Sequence, residues 1–496
     1  MRVDFIKMTK LLVPLAYSYN QRGSAPDTTI TSSIDQRILN AYQDVVENSF
    51  SGNKTLYCKK RPGTDRVFSW GVANTTTPYL LGWDPSVAWT NPLLLYKDGN
   101  DLNSINTSGT TATLATSAND IFSYIDSGYL GGNLYTIVTT SAPAHYITSN
   151  GTSWTQLTDA DIGSTTGKME FMDGYLFVLR SDNYIAHSDL GSGTAWSASS
   201  RILKSIQSDY PVGLARLKNQ ILAFGRDTVE PFYNAGNVTG SVLARIPHLA
   251  TKIGMSIVGN SYFPSGHYYC TIEDKLYFLG AQAGGTAVSL YMYDGSRFEE
   301  IKNPIISREF SQNKCYSINS LPVLGKMAVS LLLTSPSSTS GHRWFMFFPE
   351  DNKWFEWTSN VFFPVNLGSS LLGAQTSGVS VTNKTFAFTT NTFQDDVSNN
   401  PTNYQWLASF GLPSEDGDWH TMSECGVVGD TNRTATSLTI EKSTDDFQNW
   451  VSVGTIDMTK NKKVKYGMGT YRDMAIRLSY TGANDIRLES FYANIS

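Results

Sequence analysis

The sequence predicts an all-β protein assembled from repeated hairpins, and three observations carry that expectation. First, one short phrase returns, as Asp173-Gly174-Tyr175-Leu176-Phe177-Val178, Asn219-Gln220-Ile221-Leu222-Ala223-Phe224-Gly225 and Glu273-Asp274-Lys275-Leu276-Tyr277-Phe278-Leu279. Each copy sets polar turn-formers before a β-branched and aromatic run, with a second run after a gap, such as Tyr184-Ile185-Ala186-His187. Second, the apolar runs that read as innermost strands begin near Leu134, Tyr175, Ile221 and Leu276, at spacings of 41, 46 and 55 residues. A four-stranded blade of a propeller-like torus needs about 40 to 50 residues, and loop insertions widen single repeats. Third, only 16% of residues are charged while 12% are aromatic, which disfavours a helical protein whose exposed faces need Glu, Lys and Arg. The reading is a torus of about six or seven blades followed by a C-terminal antiparallel sheet or sandwich. Stacked sandwiches are the competing β architecture.

From the N-terminus, residues 1–65 read as an arm. Within it Ser33 to Asn40 is expected to cap and open one short helix, and Leu56-Tyr57-Cys58-Lys59 to form a strand closed by Arg61-Pro62-Gly63-Thr64. A polar, extended arm carries backbone groups that need partners, so packing on a neighbouring subunit is one reading of it. Residues 66–402 read as the torus: short runs such as Val67-Phe68-Ser69-Trp70 and Ile121 to Ile125 come first, then the Asn150-Gly151 hairpin. Further blade-like text follows at Arg343 to Pro349 with Lys353 to Trp357, and at Thr385 to Phe388. Phe345, Phe347 and Phe348 are expected between blades, with Trp354 and Trp357 packing outside their strand. From 403 to 496 the style changes to clean alternation, as in Thr434 to Glu441 and Tyr471 to Tyr480.

Candidate chemistry is sparse. The six histidines are scattered, and His267 near Cys270 and Glu273 is the sole local grouping of metal-ligand types, on a strand whose alternation splits neighbours between faces. Cys58, Cys270, Cys315 and Cys425 are far apart and read as buried, reduced thiols. Asp173-Gly174 and Asp294-Gly295 lack the donor series of a calcium loop and read as hairpin turns. Asp126, Asp173, Asp182 and Glu230 are the acids that a carbohydrate-cleaving propeller would draw on, if two of them met at about 5 to 9 Å. Lys59-Lys60-Arg61 and Lys462, Lys463 and Lys465 read as exposed turns with weak potential for phosphate contact. The run from Leu11 to Ala16 is too short to span a membrane and lacks a cleavage pattern, which argues against export.

The core from Tyr210-Pro211-Val212-Gly213-Leu214-Ala215-Arg216-Leu217-Lys218-Asn219 through Phe224-Gly225, Thr228-Val229-Glu230-Pro231-Phe232-Tyr233, Ala244-Arg245-Ile246-Pro247 and Lys252-Ile253-Gly254 resembles a known family. It is similar to the packaged-DNA stabilisation proteins, or tail hub and nozzle proteins, of short-tailed bacteriophages. Arg37 and Asn40 to Arg61-Pro62-Gly63 resemble the family's N-terminal part, and Tyr471-Arg472-Asp473 with Arg477-Leu478 its final sheet. The resemblance implies a non-enzymatic virion tail component, made in the host cytoplasm and without a metal or organic cofactor. It implies a ring of six subunits below the portal and its adaptor, extending the DNA conduit, retaining the packaged genome and offering a surface to a needle, plug or fibre protein. Contact with translocating double-stranded DNA would be non-specific, and the net charge of -5 suits a conduit in which DNA slides. Within the resembling segment Arg216, Arg226, Glu230 and Arg245 are the candidate assembly or channel contacts, with solvation of blade turns as the plainer role. A receptor- or glycan-binding tail protein is the alternative, and a glycan hydrolase the next.

Overall fold

A computed structural model describes residues 9–15, 37–47, 54–69, 79–80, 94–98, 101–105, 111–116, 122–140, 144–151, 153–206, 209–255, 268–285, 287–303, 307, 309–310, 315, 317–323, 325–333, 342–359, 361–367, 370–375, 384–389, 392–397, 400–412, 419–445 and 447–496. Nearly all regular structure there is β-strand. The chain divides into two compact units, one of residues 66–342 with 360–387, the other of residues 1–65, 343–359 and 388–496.

The first of these is a β-propeller. Four-stranded antiparallel sheets follow one another in sequence order, each strand paired with the next: 79–116, 122–156, 165–203 and 211–245. The fifth sheet, 253–301, has its opening strand split into Ile253–Met255 and Tyr269–Ile272, both paired with Lys275–Gln282. The hairpin of Ser317–Val323 and Lys326–Leu332 stands in the sixth place, and Val361–Leu367 with Ser370–Gln375 and Lys384–Thr389 in the seventh. Each sheet is open, but the order of neighbours returns to its start. Leu102 and Val138 share one apolar cluster across the first joint, Ile137 and Phe171 another across the second, Phe177 and Leu214 a third across the third, and Phe224 meets Phe278, ring centroids 5.0 Å apart, across the fourth. Tyr269–Ile272 then contacts Ser317–Val323, which contacts Val361–Leu367, which contacts Tyr79–Leu80.

The recurring phrase is the second strand of each sheet, not the innermost one. Opening strands carry the joints, Phe122–Leu130 against Thr165–Met172 and the latter against Pro211–Leu217. The second strand is paired on both edges and covered on both faces, so it reads as an unbroken apolar run. The opening strands instead carry polar residues and bulges, at Phe122/Tyr124, Thr166/Glu170 and Pro211/Gly213. Two-residue turns join first to second strands: Gly131-Gly132, Asp173-Gly174, Lys218-Asn219 and Glu273-Asp274. Asp173, Lys218 and Glu273 all hold φ between 52° and 54°, so the same left-handed turn recurs even where glycine is missing.

The second unit is a β-sandwich. One sheet orders Ala41–Glu47, Lys54–Lys60, Arg487–Ile495, His420–Gly429 and Val464–Tyr471, with Thr9–Pro14 also pairing to Arg487–Ile495. The other includes, in order, His342–Phe348, Lys353–Ser359, Arg37–Leu39, Gln405–Gly411, Ala475–Thr481, Ser437–Ser443 and Val451–Asp457. Phe410 and Phe491 meet edge-on between the sheets with centroids 5.2 Å apart. Residues 343–359 group with this unit, as do 388–402 and the N-terminal segment, while in sheet order His342–Phe348 and Lys353–Ser359 follow Ser317–Val323 and Lys326–Leu332, as the blade reading expects. The expected helix at 33–40 is replaced by strand Arg37–Leu39, whose apolar Ile38 and Leu39 are buried by pairing with Leu407 and Ala408; residues 33–36 lie outside the described ones. Trp354 and Trp357 are buried, not outward-facing, and Trp357 Nε1 donates to the Ala41 carbonyl at 2.6 Å.

Candidate functional site

Two of the four sequence candidates meet. Glu230, on strand Val229–Asn234, is fully buried at 0% exposure, and its Oε2 lies 2.9 Å from Nε of Arg245 on the neighbouring strand Leu243–Arg245. Glu230 also accepts from the backbone amides of Ser205, at 3.3 Å, and Ile206, at 2.9 Å. Those residues open the crossing from the third sheet to the fourth, and Arg245 holds the same crossing by donating to the Leu203 carbonyl and Ser205 Oγ, both at 2.7 Å. Beneath lie Lys204 and Asp209, both fully buried and ion-paired; Lys204 also donates to Thr228 Oγ1 at 2.8 Å, and Asp209 accepts from the amides of Asp227 and Thr228, each at 2.9 Å. Four charges of alternating sign thus staple the joint from inside. Glu230 is not a solvated turn residue, because one arginine and two amides need it where it is. Lys204 and Asp209 escaped the sequence reading because a connecting segment carries no periodicity to single them out.

Arg216 and Arg226 stand apart from that group. Arg216 donates to the Phe171 carbonyl of the preceding sheet at 2.8 Å and to the Lys218 carbonyl at 3.1 Å. Arg226 is exposed, and its backbone amide donates to the Tyr210 carbonyl at 2.9 Å.

A second charged node gathers on the opening strands of successive sheets. Glu170, buried on Thr165–Met172, is 2.6 Å from Lys168 Nζ and accepts from the Tyr269 hydroxyl at 2.5 Å, while Lys168 sits 4.2 Å from the centre of the Tyr269 ring. Asp126 on Phe122–Leu130 faces Glu170, and two neighbouring carboxyls disfavour a second negative charge. Burial and the Glu170 charge hold the Asp126 carboxyl well above the usual carboxylate range, and burial lowers Lys168 against the pull of Glu170. Of the acids considered for sugar cleavage, Asp126 is thus half-buried against Glu170, Glu230 is buried in the joint, and Asp182 chelates Arg180 at 2.8 and 3.1 Å. Because its folded-state value is raised, Asp126 adds stability in acid, below the ordinary carboxylate range, and that stability is lost as pH rises through the raised value. Asp126→Asn, which replaces the titrating carboxyl facing Glu170 by a neutral amide, is expected to leave the thermal midpoint near that of the wild type at pH 5 and to raise it towards pH 9. A midpoint that shifts equally at both values would refute this assignment.

The family profile described as "Bacteriophage P22 Gp10, beta-propeller" matches residues 71–320, half of the chain, and the match lies wholly inside the propeller unit. The chain belongs to this bacteriophage family. It is a phage structural protein of a DNA-stabilisation and tail family. None of the curated proteins matches it. Among solved structures the Gp10-family chain is similar to the WD40 β-propeller domain of Doa1 (9% identity, covering 66% of this chain and 97% of that one, TM-score 0.40). It is also similar to Chaetomium thermophilum Raptor (12%, 67% and 29%, 0.40) and to YCF48 bound to D1 peptide (11%, 67% and 100%, 0.37).

Outside the matched segment, the Gp10-family chain has a third charged cluster, in the sandwich unit. Lys60 and Arg61, read as an exposed basic turn, are fully buried there. The Arg61 guanidinium makes a two-pronged pair with Asp395, NH1 to Oδ1 at 3.0 Å and NH2 to Oδ2 at 2.6 Å, and donates to Asn40 Oδ1 at 3.0 Å and the Thr358 carbonyl at 2.6 Å. It stacks 3.7 Å from the centre of the Tyr404 ring, whose hydroxyl donates to the Arg61 carbonyl. Asn40, at φ 57°, turns the chain so that its side-chain amide also reaches the Gln405 carbonyl at 2.6 Å. Lys60 donates to the carbonyls of Phe393, at 2.8 Å, and Gly482, and burial together with the Arg61 charge lowers it to about 8. A run of basic letters was mistaken for a solvated turn because its carboxylate lies more than 300 residues away. Lys463, too, is buried, donating to Thr431 Oγ1 at 3.0 Å, whereas Lys462 is exposed. The four cysteines are buried and unpaired with one another, and burial pushes Cys58, Cys315 and Cys425 up to about 12. Among the described residues no three His, Cys, Asp or Glu side chains converge as a metal site; His267 lies outside them. Nor is any described helix long and apolar enough to cross a membrane.

Proposed function

We propose that this protein is a non-enzymatic component of a short phage tail, a hub or nozzle subunit whose ring extends the DNA channel, helps retain the packaged genome and attaches distal tail proteins. The observation that carries the reading is the family match over residues 71–320. Two features support it. The prominent cations of the three clusters, Lys60, Arg61, Lys168 and Lys204, are buried against carboxylates or carbonyls and offer no phosphate-binding track. The net charge of -5 adds no global attraction for a polyanion, as passage of DNA requires. The subunits would form a homohexameric ring held beneath the portal adaptor, with a needle, plug or fibre protein on the far side, and Arg216 and Arg226 are the exposed members of the four candidate contacts.

Imaging virions that carry a labelled version of this protein tests the reading. A symmetric collar on the tail axis is the expected result. Label confined to radial fibres would replace the hub with a receptor- or glycan-binding role.

A further inference from the structure

We propose that the strand Thr9–Pro14 is an exchangeable element: in the assembled ring it pairs with the strand Arg487–Ile495 of a neighbouring copy of this chain. This rests on the ring reading above and adds a specific joint between subunits.

The pairing is antiparallel and runs from Thr9↔Ile495 to Pro14↔Ser490, continued by the Leu15 amide donating to the Glu489 carbonyl at 2.9 Å. Side chains add little. Lys10 and Leu12 are exposed, Leu12 at 52%, while Leu11 and Val13 are half-buried, so Leu15 is the anchor that reaches the interior. Attachment through main-chain bonds with one anchoring side chain is strand addition, and any chain of the same sequence supplies it equally well. The acceptor edge also demands an occupant. His420–Gly429 takes the far side of Arg487–Ile495, and Lys54–Lys60 takes the near side only at Cys58↔Leu488 and Lys59↔Arg487. Among the described residues, Thr9–Pro14 alone takes the near side from Ser490 to Ile495, and an uncovered edge there would template aggregation.

The tether permits the exchange. Leu15 and Arg37 are separated by a stretch rich in Gly, Ser, Thr, Asn and Asp, including Gly23-Ser24-Ala25-Pro26-Asp27-Thr28-Thr29. Fully extended, that length of chain reaches roughly 70 Å. Own and exchanged strands make identical contacts, so the choice between them is set by effective concentration, which a ring raises for the neighbour's edge. Exchange then links every subunit to the next without a new contact surface.

The test places cysteines at a register pair on the exposed side, Leu12→Cys with Tyr492→Cys in one chain, and oxidises the purified ring. Covalent multimers on a non-reducing gel, with monomers before assembly, are expected. As a second arm, rings are co-assembled from chains carrying Leu12→Cys alone and Tyr492→Cys alone, in which a disulfide between the two sites can join only different chains. Rings whose double variant yields only internally linked monomers, or whose mixed singles yield no linked pairs, overturn exchange and leave the ring reading intact. Failure to find any ring overturns both.

Discussion

Asp395→Asn is expected to cost the sandwich unit about 3–5 kcal/mol, the range for breaking one side of a buried ion pair. Arg61 is at 0% exposure, and its pKa is raised because Asp395 and Tyr404 outweigh the burial that would lower it. Asparagine can accept only one of the two bonds that the carboxylate accepts, and it leaves the guanidinium charge buried without its counter-ion. Chemical denaturation followed by tryptophan fluorescence checks this, since Trp357 and Trp406 are buried in the same unit. Removing both charges, with Arg61→Met and Asp395→Leu, should recover part of the loss, because the penalty of the single change is chiefly the stranded charge. A single change within about 0.5 kcal/mol of wild type, the range for plain surface sites, would show the pair to be inconsequential.

Lys204→Met should be comparably damaging in the propeller unit, again by about 3–5 kcal/mol. Methionine fills the volume but takes the cation from Asp209 and leaves Arg245 as the one cation beside Glu230, two carboxylates at 0–1% side-chain exposure on one joint. Hydrogen exchange should then accelerate first in residues 165–245, where the third and fourth sheets meet. Arg226→Ala, at an exposed position on the same sheet, is the matched control and should stay within about 0.5 kcal/mol. Equal losses from the two substitutions would mean that the buried staple does not hold this joint.

The propeller was legible because its information is local. Second strands such as Tyr175–Arg180 and Gln220–Gly225 are covered on all sides and so are written as apolar runs, and the turns before them need residues that tolerate positive φ. The sandwich was half legible: alternation marks Ser437–Ser443, but nothing local shows that the three-residue strand Arg37–Leu39 pairs with Gln405–Gly411. The charged clusters were least legible. A lysine or arginine in a turn looks the same on the page whether water or a carboxylate 334 residues away receives it, and only the fold distinguishes Arg61 from Lys462. Glu230 and Arg245 were found through a family resemblance, and their true partners Lys204 and Asp209 were missed by both routes.

The sandwich also has a consequence for the order of events during synthesis. Apart from the contact of Val361–Leu367 with Tyr79–Leu80, the propeller's sheets are joined by contacts between neighbours in the chain, so most joints can form soon after their own residues leave the ribosome. The sandwich cannot: its ion pair spans 334 positions, and its shared strand, Arg487–Ile495, is among the last stretches made. High contact order slows such closure. Until then Lys54–Lys60, paired on one side with Ala41–Glu47, waits with its other edge bare through the making of more than 400 further residues. A nascent chain stalled after the propeller is complete should therefore show protected sheets and a protease-sensitive beginning, and is the species for which a chaperone that covers bare strand edges would matter most.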